Sequence, residues 1–231
     1  MSDPLLGDEP APARVVLIRH GESHSNRHGW ISGQDSCKGL TELGRTQAVA
    51  LRERLHVDED LRPDTILVST MRRAVETAEI IAEPHGMAVE QHADLIERTS
   101  GEAEGLTVEE YRQTYGSRPW TDWENPLSPG GESGPEFLGR VSSAVGRVAA
   151  NGRGRTTWVV CHGGVIMATA TRRWPGAPGR LFPLPVTNPA NTSISEWWVV
   201  ESGEGDPVWQ LARYNDATHL VGIDHTAPIS I

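Results

Sequence analysis

Two short apolar runs in this chain end alike. Val15–Ile18 breaks off into Arg19-His20-Gly21, and Trp158–Cys161 breaks off into His162-Gly163-Gly164. Apolar runs this short, rich in β-branched residues, predict buried strands. In an open parallel sheet, ligands gather beyond the carboxyl ends of the strands. A cation, two imidazoles and glycines that admit a close neighbour, all at such ends, suit an anion. A single histidine after a strand is more often a packing or capping residue. The repeated pattern is what favours chemistry.

The rest of the chain alternates between helical and strand patterns. Leu40, Leu43, Gln47, Ala48, Leu51 and Leu55 form a stripe at helical spacing, which predicts a core-packing helix over about 42–56 behind Thr41. Thr65–Val68 reads as a second buried strand, ending in Ser69-Thr70 as helix caps. The next helix carries Arg72 and Arg73 in its first turn, where cations oppose the helix dipole; this hints at a nearby anion, and spacing leaves open which of the two points inward. Met87–Glu90 reads as a short strand, and Asp94–Gly105, which holds Glu97, as an acidic loop. A short helix follows from Thr107 to about Tyr115. Trp120 and Trp123 then sit in an irregular stretch, as a pocket cover or as ordinary packing. Ser133 or Gly134 caps the next helix, with Pro135 at its first position. A further helix opens at His162-Gly163-Gly164, and Pro175–Pro189 is a proline-rich loop. Ile194–Val200 and Val208–Tyr214 close the pattern as strands, with an irregular tail after Ala217. This alternation predicts an α/β, three-layer fold with a mainly parallel sheet.

The chain has 231 residues, enough for one domain with a decorated core or two small ones. Its formal net charge of −10 argues against nucleic acid as a partner. An anionic substrate must then be drawn by a local cationic pocket. Lys38 is the lone lysine, so a single Arg is a weak signal in this chain. No apolar run approaches the ~20 residues needed to cross a membrane. Residues 1–13 read as a disordered tail without a leader pattern, and the expected location is cytoplasmic. Cys37 and Cys161 form no metal or redox spacing, and Cys161 reads as a small core residue. None of the nine histidines falls in a metal-ligand pattern, so no metal and no cofactor is expected.

Three strand ends thus carry Arg19-His20, Ser69 to Arg73, and His162, with Glu97 in a nearby acidic loop. A phosphoryl dianion fits this set. Two guanidiniums can grip its oxygens. A neutral imidazole is a competent nucleophile near pH 7, since its unperturbed pKa is about 6.5. A carboxylic acid can protonate the leaving alcohol and then deprotonate water.

Leu17-Ile18-Arg19-His20-Gly21-Glu22-Ser23 resembles the signature of the histidine phosphatase superfamily, in the branch that contains phosphoglycerate mutases. Ser69-x-Met71-x-Arg73-Ala74-x-x-Thr77-Ala78, Leu95-x-Glu97 followed by Glu104-Gly105, Gly130-Gly131-Glu132-Ser133 and Val160–Gly164 extend the resemblance in order over roughly 14–220. The resemblance implies a phosphoglycerate mutase-like α/β/α sandwich, one domain over 14–231 with a small cap inserted at about 97–135. It implies His20 as nucleophile, Glu97 as proton donor, and Arg19, Arg73 and His162 as the remaining catalytic residues. Arg72 is left exposed. Asn26, Ser32, Gly33 and Gly163 become substrate-binding residues. Three positions depart from the pattern. Ser100 stands where an aromatic is usual and Ala103 where a Trp is common, both expected beside the leaving group; Thr70 replaces a usual Pro. Mutases carry a longer, more basic insertion before the GGES segment than Leu106–Pro129. The expectation is therefore a phosphatase acting on a small phosphorylated metabolite. A mutase-type phosphotransferase and an inactive phospho-ligand-binding protein are the alternatives, and a homodimer is one open state of assembly.

Overall fold

A computed structural model describes residues 11–117, 123–173, 188–200, 202 and 205–224. Its centre is a sheet of six strands in the order β3-β2-β4-β1-β5-β6. These are β1 (Ala13–Arg19), β2 (Thr65–Ser69), β3 (Val89–His92), β4 (Thr156–Cys161), β5 (Ile194–Val200) and β6 (Val208–Asp216). The first four are mutually parallel; β5 runs antiparallel to both β1 and β6.

Strand residues alternate in direction, so each strand feeds two cores. Val15, Leu17, Val159 and Cys161 pack on one side with Phe137, Val141 and Val145 of helix α5 (Gly134–Asn151) and Val165 and Ile166 of α6 (Gly163–Arg173). Val16, Ile18, Trp158 and Val160 pack on the other with Leu51 and Leu55 of α2 (Glu42–Val57), which follows the short α1 (His24–His28), and with Ala74, Ala78 and Ile81 of α3 (Arg72–Ala82). Full burial of each large apolar side chain contributes about 1.5–3 kcal/mol. The result is the expected three-layer α/β/α sandwich. Among the described residues no helix is long and apolar enough to cross a membrane.

The parallel register of β1 and β4 does most to place the site. The strands pair from Arg14↔Thr156 to Arg19↔Cys161. The next residue in each chain is a histidine, so His20 and His162 leave the sheet side by side. Their ring centroids lie 5.2 Å apart.

Several local expectations are corrected. Ser69 and Thr70 do not cap α3; Met71 holds the cap position without a side-chain bond. Helix α2 does more than pack, because buried Gln47 accepts from the Glu22 amide at 2.8 Å. Strand β3 lies two residues beyond the expected 87–90. Strand β1 already includes Ala13, and the Ala11 carbonyl accepts from Gly154 N–H, so the tail ends earlier than expected. In the stretch after Ala217, expected to be irregular, Thr218–Leu220 forms a 3-10 turn, and residues 225–231 lie outside the described residues.

Helix α4 (Val108–Tyr115) lies between β3 and α5, where Ile31, Ala103 and Tyr111 form a third, small core. Ala103 is therefore packing in that core, and Ser100 is buried with its carbonyl bonded to the Ser128 hydroxyl. Trp123 packs over Gly134, edge-on to Phe137 and under the Arg98 guanidinium. It serves as packing at the start of α5, which Ser133 caps with Glu136. Trp120 and most of the proline-rich stretch lie outside the described residues.

Candidate active site

His20 is buried at the end of β1, and its backbone is held from several sides. Gly21 N–H donates to Thr77 Oγ1 at 3.1 Å. A Cβ on Gly21 would lie 2.4 Å from the Gly44 carbonyl oxygen of α2, which is why only glycine fits there. The ring is held too. Nδ1 lies 2.7 Å from the Gly21 carbonyl oxygen. A carbonyl only accepts, so Nδ1 carries the proton and Nε2 presents its lone pair. Arg73 Nε donates to that lone pair at 3.0 Å. Burial, then the Arg73 and Arg19 charges, hold the His20 pKa well below its usual 6.5, so the ring is neutral at physiological pH.

Arg73 is buried in the first turn of α3, where its Nη1 also reaches Ser32 Oγ at 3.2 Å and Cys37 Sγ at 3.5 Å. Cys37 Sγ accepts from the Arg73 amide as well, at 3.4 Å. Arg72 points outward to Glu76, as the resemblance implied. Arg19 is buried, with Nη1 donating to the Pro189 carbonyl. Its Nε has no partner among the described residues. Burial pushes the Arg19 guanidinium down to about 10, with Glu97 opposing and Arg73 assisting, and it remains a cation at neutral pH.

His162 is tethered by its other nitrogen. Nε2 lies 2.7 Å from Ser69 Oγ, while buried Nδ1 has no partner among the described residues. Burial and the neighbouring Arg73 and His20 hold its pKa well below 6.5. Glu97 sits at the N-terminus of α6, where Gly164 N–H donates to Oε2 at 2.9 Å and Arg98 N–H donates to Oε1 at 2.9 Å. Gly163 lies against Arg19: a Cβ there would be 3.6 Å from Arg19 Nε. Asn26 uses its Oδ1 to accept from Ser23 N–H, Ser23 Oγ and Asn191 Nδ2, leaving the amide NH2 to donate. Gly33 is the exception among the expected residues. Its N–H is taken by Ser36 Oγ at 3.1 Å, and the Glu104 carboxylate fills the space beside it. The link from this loop to His20 runs through its neighbour Ser32 and Arg73.

Residues that sequence reasoning missed hold these groups in place. Arg140 donates to the Asp94, Ile96 and Glu97 carbonyls and to Glu132, fixing the loop that carries Glu97. Burial works against the Glu132 charge, but Arg140 and the Thr99 amide hold its carboxyl below the usual range. Asn191 Nδ2 donates to the His20 carbonyl at 3.0 Å. The GGES segment was legible as a motif; Arg140 and Asn191 gave no signal of their own. Among the described residues no three His, Cys, Asp or Glu side chains come together in a way that could hold a metal ion. A separate cavity of about 230 Å3 lies between α5 and β2–β3, lined by Thr65, Leu67, His92, Ala144 and Arg147. None of the site residues lines it.

Two guanidiniums, and a neutral imidazole whose lone pair accepts from one of them, thus converge with a second imidazole and a carboxyl group. This set can bind a tetrahedral dianion and move a proton beside it. The chain is 31% identical over 224 residues to the metal-independent phosphoserine phosphatase of Arabidopsis thaliana, covering 93% of this chain and 86% of that protein. It is 30% identical over 224 residues to the glucosyl-3-phosphoglycerate phosphatase of Mycobacterium tuberculosis, covering 90% and 96%. Among solved structures, Bacillus stearothermophilus YhfR superposes with a TM-score of 0.76 at 28% identity, covering 90% of this chain and 98% of that one. A family model described as histidine phosphatase superfamily (branch 1) matches residues 15–217, and the chain belongs to that superfamily.

Proposed function

We propose that this chain is a metal-independent phosphomonoesterase that hydrolyses a small phosphorylated metabolite through a phosphohistidine on His20. The observation that carries this is the His20 ring: Nδ1–H is bonded to the Gly21 carbonyl, and Nε2 faces the buried Arg73 guanidinium. Phosphatases among the similar proteins support the same reading, one of them metal-independent by name. The cytoplasm is part of this reading; Cys37 and Cys161 are both free thiols.

The steps balance without an added reagent. The Nε2 lone pair attacks phosphorus as the ester P–O bond breaks, and the leaving oxygen takes a proton from the Glu97 carboxyl group. Arg73 gives up Nε2 and donates to phosphoryl oxygens instead, together with Arg19 Nε and a donor from His162. Water then attacks phosphorus, the P–N bond breaks, and the Glu97 carboxylate takes the proton from that water. Inorganic phosphate leaves and His20 is neutral again.

The test is rapid-quench labelling with a 32P-labelled monoester in EDTA. Wild type should carry acid-labile label at His20 during turnover and release inorganic phosphate. His20→Ala should carry none. Label of the same lability on His20→Ala, or turnover of that variant at the wild-type rate, would overturn the proposal.

A further inference from the structure

The strongest unexplained feature lies beneath His20 rather than around its ring. Thr192 is fully buried and has φ 56°, the left-handed region. A β-branched residue there is a genuine outlier. Such a conformation persists only where its surroundings over-determine it. Here its N–H donates to the His20 carbonyl oxygen at 3.3 Å, and Asn191 Nδ2 donates to the same oxygen.

The Thr192 side chain shows what holds it. Its hydroxyl donates to the Asn191 carbonyl at 2.7 Å. The single hydroxyl proton is then used, so His219 Nε2, 2.9 Å away, must be the donor to Oγ1. That leaves His219 Nδ1 as an acceptor. Nδ1 faces Arg54 Nη1 at 3.5 Å, which can only donate, so both ends of the ring agree on one tautomer. Arg54 of α2 is itself clamped by two bonds to Asp216 at the end of β6. Thr218 donates to Asp216 through N–H and Oγ1. Asn215, also left-handed at φ 55°, accepts from Ala190 N–H at 2.7 Å. Burial and Arg54 push the His219 pKa down to about 4, with Asp216 opposing, so the ring keeps this donor–acceptor polarity at neutral pH.

We propose that His219 is a positioning residue for the reaction: through Thr192 it fixes the His20 carbonyl, and so the aim of the nucleophilic nitrogen. The carbonyl direction sets where Gly21 begins, and the Gly21 carbonyl holds the ring by Nδ1–H. This relay rests on the reading of His20 as the nucleophile. The bonds from His219 through Thr192 end on the His20 backbone and not on the Arg73 guanidinium, so the loss is expected in kcat rather than in KM.

The test uses the full chain and p-nitrophenyl phosphate. His219→Phe should lose about 10-fold in kcat with KM within about twofold. His219→Gln, whose amide NH2 reaches where Nε2 was, should recover to within about threefold of wild type. In wild type, 15N NMR at pH 7 should show His219 neutral with the proton on Nε2; this arm needs no variant to fold. His219→Phe with wild-type kcat, equal losses in the Phe and Gln variants, a loss confined to KM, or the proton on Nδ1 would each overturn the relay. His20→Ala is run beside them. If it stays active, the nucleophile assignment falls and the relay with it. If it is dead while His219→Phe is unaffected, only the relay falls.

Discussion

The carboxyl ends of β1 and β4 look alike in sequence and are built in opposite senses. His20 and His162 each follow an apolar strand, each precede glycine, and each are buried. His20 is held by Nδ1 on a backbone carbonyl and offers Nε2. His162 is held by Nε2 on the Ser69 hydroxyl and leaves Nδ1 without a partner among the described residues. The difference comes from the neighbours. Beside β1 the chain itself turns at Gly21 and supplies the tether. Beside β4 the tether comes from β2, whose Val68 pairs with Val160 and so brings Ser69 to the level of Cys161. In the proposed scheme, which nitrogen is tied down makes one copy of the motif a nucleophile and the other a charge-stabilising partner.

The largest expected effect separates the two roles. In the proposed scheme His20→Ala loses about 10^4-fold or more in kcat/KM, because a covalent step is removed. His162→Ala loses about 10^2–10^3-fold, the size of one lost transition-state donor. Steady-state assays on both variants decide it, and the reverse order would break the comparison. Ser69→Ala comes next. It frees His162 Nε2 and lets the ring turn, and should lower kcat about 10-fold while leaving phosphohistidine formation confined to His20. An unchanged kcat would show that the Ser69 tether does not aim His162.

The smallest effect tests what the two histidines share. Both have folded pKa values well below 6.5, so below that pH the unfolded chain binds more protons than the folded one. Stability is therefore lost as pH falls through 6.5 toward the folded values. Between pH 7 and 5.5 this is about 1 kcal/mol for each buried ring, which lowers Tm by about 2–4 °C per ring and about 4–8 °C for the two together. A Tm that stays flat over this window would show that the rings are solvated.

Much of this was legible before any coordinates. The alternation of periods gives the sandwich, and two strand ends give His20 and His162, because strands and their termini are local patterns. Arg73 could not be separated from Arg72 by spacing; only the second-motif resemblance did so, since both occupy one helical turn. Ser69 was read as a helix cap because its local role is plausible. A partner 93 residues away in the chain takes its hydroxyl instead. Asn191, Arg140 and His219 are invisible for the same reason: they act across segments distant in sequence, the first two on backbone carbonyls and His219 on the Thr192 hydroxyl. Gly33 shows the opposite case: its motif is legible, but not that Ser36 takes its N–H.

The bond from Arg73 Nε to His20 Nε2 has a consequence for the resting enzyme. A lone pair that accepts a hydrogen bond from a cation is a poor nucleophile toward a passing neutral electrophile. The same guanidinium leaves it for an anion that offers better oxygens. In the proposed scheme the protein therefore carries a safety catch that the right charge releases, and the imidazole stays muzzled until a phosphoryl group arrives.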